Sequence, residues 1–266
     1  MRMQSLKLAY FSPTGTTRTI AHRIARGIHH GKLELIDITK ADARAQSLRT
    51  SESDLLVVAV PVYIGRAPAV VMDWLNRIEP RDTPTVCIVV YGNRAYEDAL
   101  LELKDTLRGR GCIPIACAAY IGEHSFSSPE IPIAAGRPDA ADLDHAEAFG
   151  RKVAEKVLSS ASSADLLDVA TPGNHPYRGD SKLWDVDFIA VGEACAHCGT
   201  CTDACPMDAI DAEHSDVIDK IKCITCCACI KSCPQNARTM KPSPVKGAAL
   251  RLNRLYSERK QPESFL

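Results

Sequence analysis

Two blocks of cysteine carry the most specific chemistry in the chain. Cys195, Cys198, Cys201 and Cys205 follow one another at x2, x2 and x3 spacing, and Pro206 comes next. Cys223, Cys226, Cys229 and Cys233 repeat that spacing 28 residues later and end on Pro234. Three thiolates so close together wrap one face of an iron–sulfur cubane, and the proline turn sends the fourth across a small domain. Zinc sites use two CxxC pairs at wider separation, without the third cysteine and the proline. The spacing therefore predicts two 4Fe–4S clusters. Cys227 lies between ligand positions and is expected to be a small buried residue. Cys87, Cys112 and Cys117 fall in apolar runs and are expected in the core. His197 and His214 are expected at the surface beside the clusters.

A second constellation lies near the start. Ser12-Pro13-Thr14-Gly15-Thr16-Thr17 places four hydroxyls and several backbone N–H groups between a strand and a helix. The helix N-terminus favours an anion there. There is no P-loop lysine and no three-glycine dinucleotide fingerprint, so a monophosphate suits the loop better than a triphosphate. Ser and Thr are also ordinary helix caps, and capping alone is the other explanation. Pro61-Val62-Tyr63-Ile64-Gly65-Arg66 and Tyr91-Gly92-Asn93-Arg94 follow later strand runs, at the end where open α/β sheets bind ligands. Ile121-Gly122-Glu123-His124-Ser125-Phe126 does the same after the fifth run; His124 either donates to a ligand or holds its loop.

These loops need a sheet behind them. Leu6–Phe11, Leu33–Ile38, Leu55–Val60, Thr85–Tyr91 and Ile113–Ile121 are β-rich runs of strand length. Helices are expected at Thr16–His30, Pro68–Ile78, Ala95–Arg110 and Asp139–Leu158, with a short one at Asp42–Leu48. Near-continuous apolar strands alternating with helices predict a parallel sheet covered on both faces. Five strands fit the doubly wound order 2-1-3-4-5.

Composition narrows the class. The 266 residues are 45% hydrophobic with net charge -1, and no apolar run approaches a membrane span. Balanced charge argues against a nucleic-acid binder. Nine of twelve cysteines crowd into residues 195–233. With no leader pattern at Met1–Tyr10, that crowding points to metal ligands in a cytoplasmic protein. Charge also divides the chain: 20 basic and 20 acidic residues over 1–165, 6 and 11 over 166–240, and 6 and 2 over 241–266. The expected domains are 1–160, a linker at 161–184, a cysteine domain at 185–242 and a helical tail at 243–266. In that tail Val245–Lys260 reads as an amphipathic helix, which would pack on the acidic module or lie on a membrane surface.

Tyr10-Phe11-Ser12-Pro13-Thr14-Gly15-Thr16-Thr17 resembles the flavodoxin phosphate loop, and the cysteine blocks resemble a bacterial two-cluster ferredoxin. The whole chain is similar to flavodoxin–ferredoxin fusions, as are its Pro61–Arg66 loop and its Ala135-Gly136-Arg137-Pro138-Asp139 turn. The resemblance implies a flavodoxin-like α/β domain followed by a small α+β ferredoxin domain. It implies FMN held by Ser12, Thr14, Gly15, Thr16, Thr17, Pro61, Val62, Tyr63, Ile64, Gly65, Tyr91, Gly92, Asn93 and Arg94. Tyr63 would pack on the flavin ring, or Tyr63 and Tyr91 would cap the sheet edge. Arg66 and Arg94 would raise the flavin potential if they reach the ring, and otherwise stay in solvent. One cluster would take Cys195, Cys198, Cys201 and Cys233, the other Cys223, Cys226, Cys229 and Cys205. The implied function is electron transfer with a redox partner protein, as a single chain or a homodimer. A flavin-dependent reductase and a redox sensor are the other functions open to it. No nicotinamide fingerprint is present, so electrons are expected from a protein donor.

Overall fold

The computed structural model describes residues 3–28, 31–166, 168–180 and 186–266. Its first half is built of β1 (Ser5–Tyr10), α1 (Thr16–Ile28), β2 (Leu33–Asp37), α2 (Ala41–Arg44), β3 (Leu48–Arg49), β4 (Asp54–Pro61) and α3 (Ala69–Leu75). Then come β5 (Ile78–Glu79), β6 (Thr83–Tyr91), α4 (Ala99–Gly109), β7 (Cys112–Ile121) and α5 (Ala140–Ser159). The expected end of the first helix at His30 and the end of the expected linker fall outside the described residues. So does Asp185, the expected first residue of the cysteine domain.

β2, β1, β4, β6 and β7 lie side by side and parallel, the expected doubly wound flavodoxin-like order. Alternation along each strand splits the core between two faces. Leu55, Val57 and Ala59 of β4 join Ile20 and Ile24 of α1 and Phe149 and Val153 of α5. Leu56, Val58 and Val60 join Trp74 of α3 and Leu100, Leu103 and Leu107 of α4. Cys87, Cys112 and Cys117 are buried there, as expected. α3 is shorter than the sequence pattern suggested, because Asn76 caps it and Ile78 pairs with Leu48 in a small separate sheet.

The cysteine region has short elements: β8 (Ile189–Val191), α6 (Thr200–Ala204), α7 (Ala228–Lys231) and β9 (Arg238–Met240). β8 pairs antiparallel with β9, and Ile210 bridges Ile218. Shifted by the 28-residue offset, the bridge falls on Arg238 and Ala190, one residue out of the β8–β9 register. The core here is small: Phe188, Ile189, Ala209, Ile210, Val245 and several cysteines.

The tail corrects two expectations. The helix is α8 (Pro244–Leu255), capped by the Ser243 side chain, and it stops short of Lys260. The chain then forms β10 (Glu263–Phe265), antiparallel to β7, so a sixth strand joins the five expected ones. Three residues with one aromatic are too short a pattern to announce a strand. The tail charges divide: Lys241 pairs with Asp187 of the acidic module at 2.5 Å, and two others go elsewhere. Arg259 pairs with Asp139, and Lys260 donates to the Arg94 carbonyl, both on the flavodoxin-like half. Only the start of α8, through Val245, packs into the cysteine core.

The segment between the halves is fixed along its described length. Val169 N donates to the Pro114 carbonyl at 3.1 Å. Asp98 accepts from Asn174 N at 2.9 Å, and Tyr177 donates to Asp105 at 3.0 Å. Across the halves, the buried Arg44 donates to the carbonyls of Ile38, Thr39 and Pro206, the last at 2.6 Å. Lys231 pairs with Glu123 at 2.6 Å.

Candidate functional site

The carboxyl ends of β1, β4, β6 and β7 open on a cavity of about 570 Å³, within the usual size for a cofactor site. Ser12, Thr14, Thr16, Thr17, Pro61, Val62, Tyr63, Ile64, Gly65, Tyr91, Gly92 and Arg94 line it; Gly15 and Asn93 do not. Gly15 instead turns the chain into α1 at φ 89°, a left-handed conformation that only glycine adopts freely. The buried Asn93 gives its amide to the tail, donating to the Tyr256 and Glu258 carbonyls at 2.7 and 2.8 Å. Ser12 does serve as a cap: its hydroxyl accepts from Arg18 N at 3.0 Å.

The loop after β4 is a tight hairpin. Tyr63 and Arg66 exchange both backbone hydrogen bonds, at 2.9 and 3.0 Å, with Ile64 and Gly65 both at positive φ. Arg66 is not free to reach the cavity: it pairs with the buried Glu102 through two bonds and stacks over Tyr177 at 5.1 Å. Arg94 pairs with Glu97. Both cations are therefore neutralised locally. Tyr91 meets Tyr96 edge-on at 5.4 Å, and burial and then Glu263 push its phenol up to about 12.

His124 both holds its loop and faces the cavity. Its Nδ1 accepts from Phe126 N at 3.0 Å. Burial, then Lys231 and Arg94, bring its pKa down to about 4. It is thus neutral at pH 7 with the proton on Nε2, a donor. The ring rests on bare backbone: a Cβ on Gly92 would lie 2.1 Å from His124 Cδ2.

Several wall residues had no signal in the sequence. Gly179 and Asp180 come from the segment between the halves, Ile224 and Thr225 from the second cysteine repeat, and Arg251, Leu252 and Tyr256 from the tail. A short amphipathic pattern says that a helix packs, not onto which edge.

The cysteines fall into two settings. Cys205, Cys223, Cys226, Cys227 and Cys229 line one small buried cavity. Cys205 Sγ accepts from Ala209 N at 3.3 Å. Burial pushes the Cys229 thiol up to about 12, and Cys226 higher still. Thiols so dry ionise only against a positive charge brought to them, as iron would be. Arg238, 2% exposed, lies near Cys229 and leaves its Nη1 buried without a partner. The guanidinium, whose Nη2 donates to the Ser215 carbonyl, thus keeps one spare buried donor beside a ring of thiols, which suits an anionic iron–sulfur–thiolate centre. Cys233 of the second repeat accepts from Ala237 N at 3.3 Å, while in the first repeat Cys198 lies 3.3 Å from the Thr200 hydroxyl and Cys195 lies 3.9 Å from that of Ser215. Among the described residues, no three His, Cys, Asp or Glu side chains close tightly enough for a single metal ion. Cys227 is buried at the start of α7, with φ 56° where the first repeat has Gly199. His197 and His214 are exposed.

Residues 188–234 match the 4Fe-4S dicluster domain family. A 61-residue stretch is 34% identical to "Putative electron transport protein YsaA" of Escherichia coli (strain K12), covering 22% of this chain and 39% of that protein. The chain thus spans about two fifths of the length of that relative. Among solved structures, a flavodoxin from the domain Archaea aligns with TM-score 0.41 and 16% identity, over 58% of this chain and 99% of its own. The rubredoxin:oxygen oxidoreductase of Desulfovibrio gigas aligns with TM-score 0.42 and 13% identity, over 60% and 38%. No helix among the described residues is long and apolar enough to cross a membrane. The chain joins a flavodoxin-like α/β domain, set by its strand order, to a C-terminal 4Fe-4S dicluster domain.

Proposed function

We propose that this chain is a cytoplasmic iron–sulfur flavoprotein that exchanges electrons among FMN, two 4Fe–4S clusters and a redox partner protein. The observation that carries this is a shared wall: Ile224 and Thr225, next to Cys223 and Cys226, line the same cavity as the hydroxyl loop and Tyr63. Thr14, Thr16 and Thr17 at the start of α1 are assigned to the FMN phosphate, and the Pro61–Gly65 and Tyr91–Arg94 loops to its ring. The eight cysteines of the two repeats are assigned to the clusters, four to each, with Cys205 and Cys233 crossing over. Flavin supplies both one- and two-electron chemistry, which makes it a useful neighbour for one-electron centres. The chain contributes a neutral His124 donor at the cavity and a hairpin at Ile64–Gly65 that holds Tyr63 in place.

Anaerobic reconstitution with iron, sulfide and FMN tests the assignment. The expected product holds one FMN and about eight irons per chain, two cubanes' worth. Its flavin is reduced rapidly by a reduced ferredoxin and not by NADH or NADPH. Failure to retain flavin, or rapid reduction by a nicotinamide without a partner, would defeat the proposal.

An FMN-dependent reductase of a small molecule is the second reading, and Arg251 favours it. That side chain lines the cavity and has no carboxylate partner among the described residues, so an anionic acceptor would find a cation there. Steady turnover of such an acceptor that falls sharply in Arg251→Ala would move the function to this reading.

A further inference from the structure

The two cysteine repeats share one backbone but not one environment. Offset by 28 residues, His197 and Thr225 take φ 49° and 52°, Gly199 and Cys227 take 76° and 56°, and Asp208 and Asn236 take 48° and 50°. Asp203 N donates to the Gly199 carbonyl as Lys231 N does to that of Cys227, both at 3.0 Å. Cys205 and Cys233 accept the same bond, each from the backbone N–H four residues on.

The surroundings diverge at matched positions. Ala196, His197 and Cys198 are exposed. Their counterparts turn inward: Ile224 is half-buried, and Thr225 and Cys226 are each 8% exposed. Ile224 and Thr225 also form part of the flavin cavity. Tyr63 also lines that cavity, and it packs with Ile224 against the same core. Thr200 sets a hydroxyl beside Cys198, whereas its counterpart Ala228 has none to offer Cys226.

We propose that the second repeat is the inner, flavin-side site, walled from the flavin by Tyr63 and the Ile224–Thr225 loop, and that the first repeat is the outer site presented to an external one-electron carrier. This assignment rests on the function proposed above and goes further by giving the two repeats different tasks.

The test uses the whole chain reconstituted with iron and sulfide, reduced with dithionite and observed by EPR with and without FMN. Thr200→Val and Ser215→Ala mark the first-repeat signal, since each removes a hydroxyl near a sulfur and no ligand. Added FMN is expected to alter only the signal that these variants leave unchanged. A water-soluble paramagnetic relaxer is expected to act on the marked signal several-fold more strongly than on the other. FMN acting on the marked signal, or the relaxer favouring the unmarked one, would overturn the assignment. Fluorescence titration gives an independent arm. Ile224→Ala and Thr225→Ala should weaken FMN binding, Ile224→Ala by about tenfold through lost apolar contact, while His197→Ala, at the place of Thr225 in the first repeat, leaves it unchanged. Equal losses in His197→Ala and Thr225→Ala would count against the proposal. A chain that takes up iron but no FMN removes the proposed function itself; a chain that binds both with the order reversed removes only this assignment.

Discussion

The two halves of the molecule hold themselves together by different means. The flavodoxin-like half buries whole strands between two layers of helices, and its cavity is a by-product of where those strands end. The cysteine half has three-residue strands, helices of four and five residues, and a core in which cysteines stand among a handful of aliphatic side chains. A core that small is below what a domain needs to fold by burial alone, and small domains make up the deficit with metal or cross-links. The comparison teaches that one half creates its cavity by folding, while the other lacks a core large enough to fold by burial alone.

The largest effect expected from this contrast is on removal of iron. Chelation should abolish hydrogen-exchange protection across residues 188–240 while the strands β1, β4, β6 and β7 stay protected, because cluster binding is folding free energy for the small half. Melting of both halves together would break the comparison. Next in size is Asp142→Ala. Asp142 is 0% exposed, pairs with the buried Arg137 and caps the start of α5. Leaving that arginine buried with only Asp139 at 3.7 Å and the Lys260 carbonyl should cost about 3 kcal/mol. Urea unfolding should place the loss in the flavodoxin-like half, with iron content unchanged.

Arg44→Ala probes the seam. Its guanidinium is the buried bond from α2 to the Pro206 carbonyl, so its loss should weaken docking of the cysteine half by about 1.5–3 kcal/mol. Proteolysis near Cys205–Pro206 would report it, with little change in the β-sheet signal. The smallest effect is that of pH on His124. Its folded pKa is about 4 against an ordinary 6.5. Between those values the unfolded chain binds a proton that the folded chain refuses, so stability falls as pH drops from about 6.5 towards 4 and is unaffected above. His124→Gln should flatten that slope in the flavodoxin-like half, read by urea midpoints at pH 7 and pH 5.

The parts legible in the sequence were those encoded by local spacing. The cysteine intervals, the hydroxyl loop and five apolar runs each repeat a pattern within a few residues, and the strand order and the loops around the cavity followed from them. What escaped was decided by distant contacts. Nothing near Asn93 shows that its amide holds Tyr256 and Glu258. The pairing of Arg66 with Glu102 joins residues 36 apart, and it is neither of the two places, flavin ring or solvent, left open for that side chain. β10 has too few residues to show alternation. Ile224 stands between Cys223 and Cys226, and only the docking of the halves makes it part of the cavity wall. The burial of Cys227 was legible, but its left-handed backbone position, which the first repeat gives to Gly199, was not.

β10 has a mechanical consequence. The chain leaves the flavodoxin-like half where Val169 is tied to Pro114 at the start of β7, and it returns where Ser264 lies beside Ala118 of the same strand. The cysteine module is thus slung between two moorings on one strand. A body on a single tether can sweep through a wide volume and present any face; one moored at both ends can only rock about the line between its moorings. A pull on the module would load both moorings at once, and its distance from the cavity would change little.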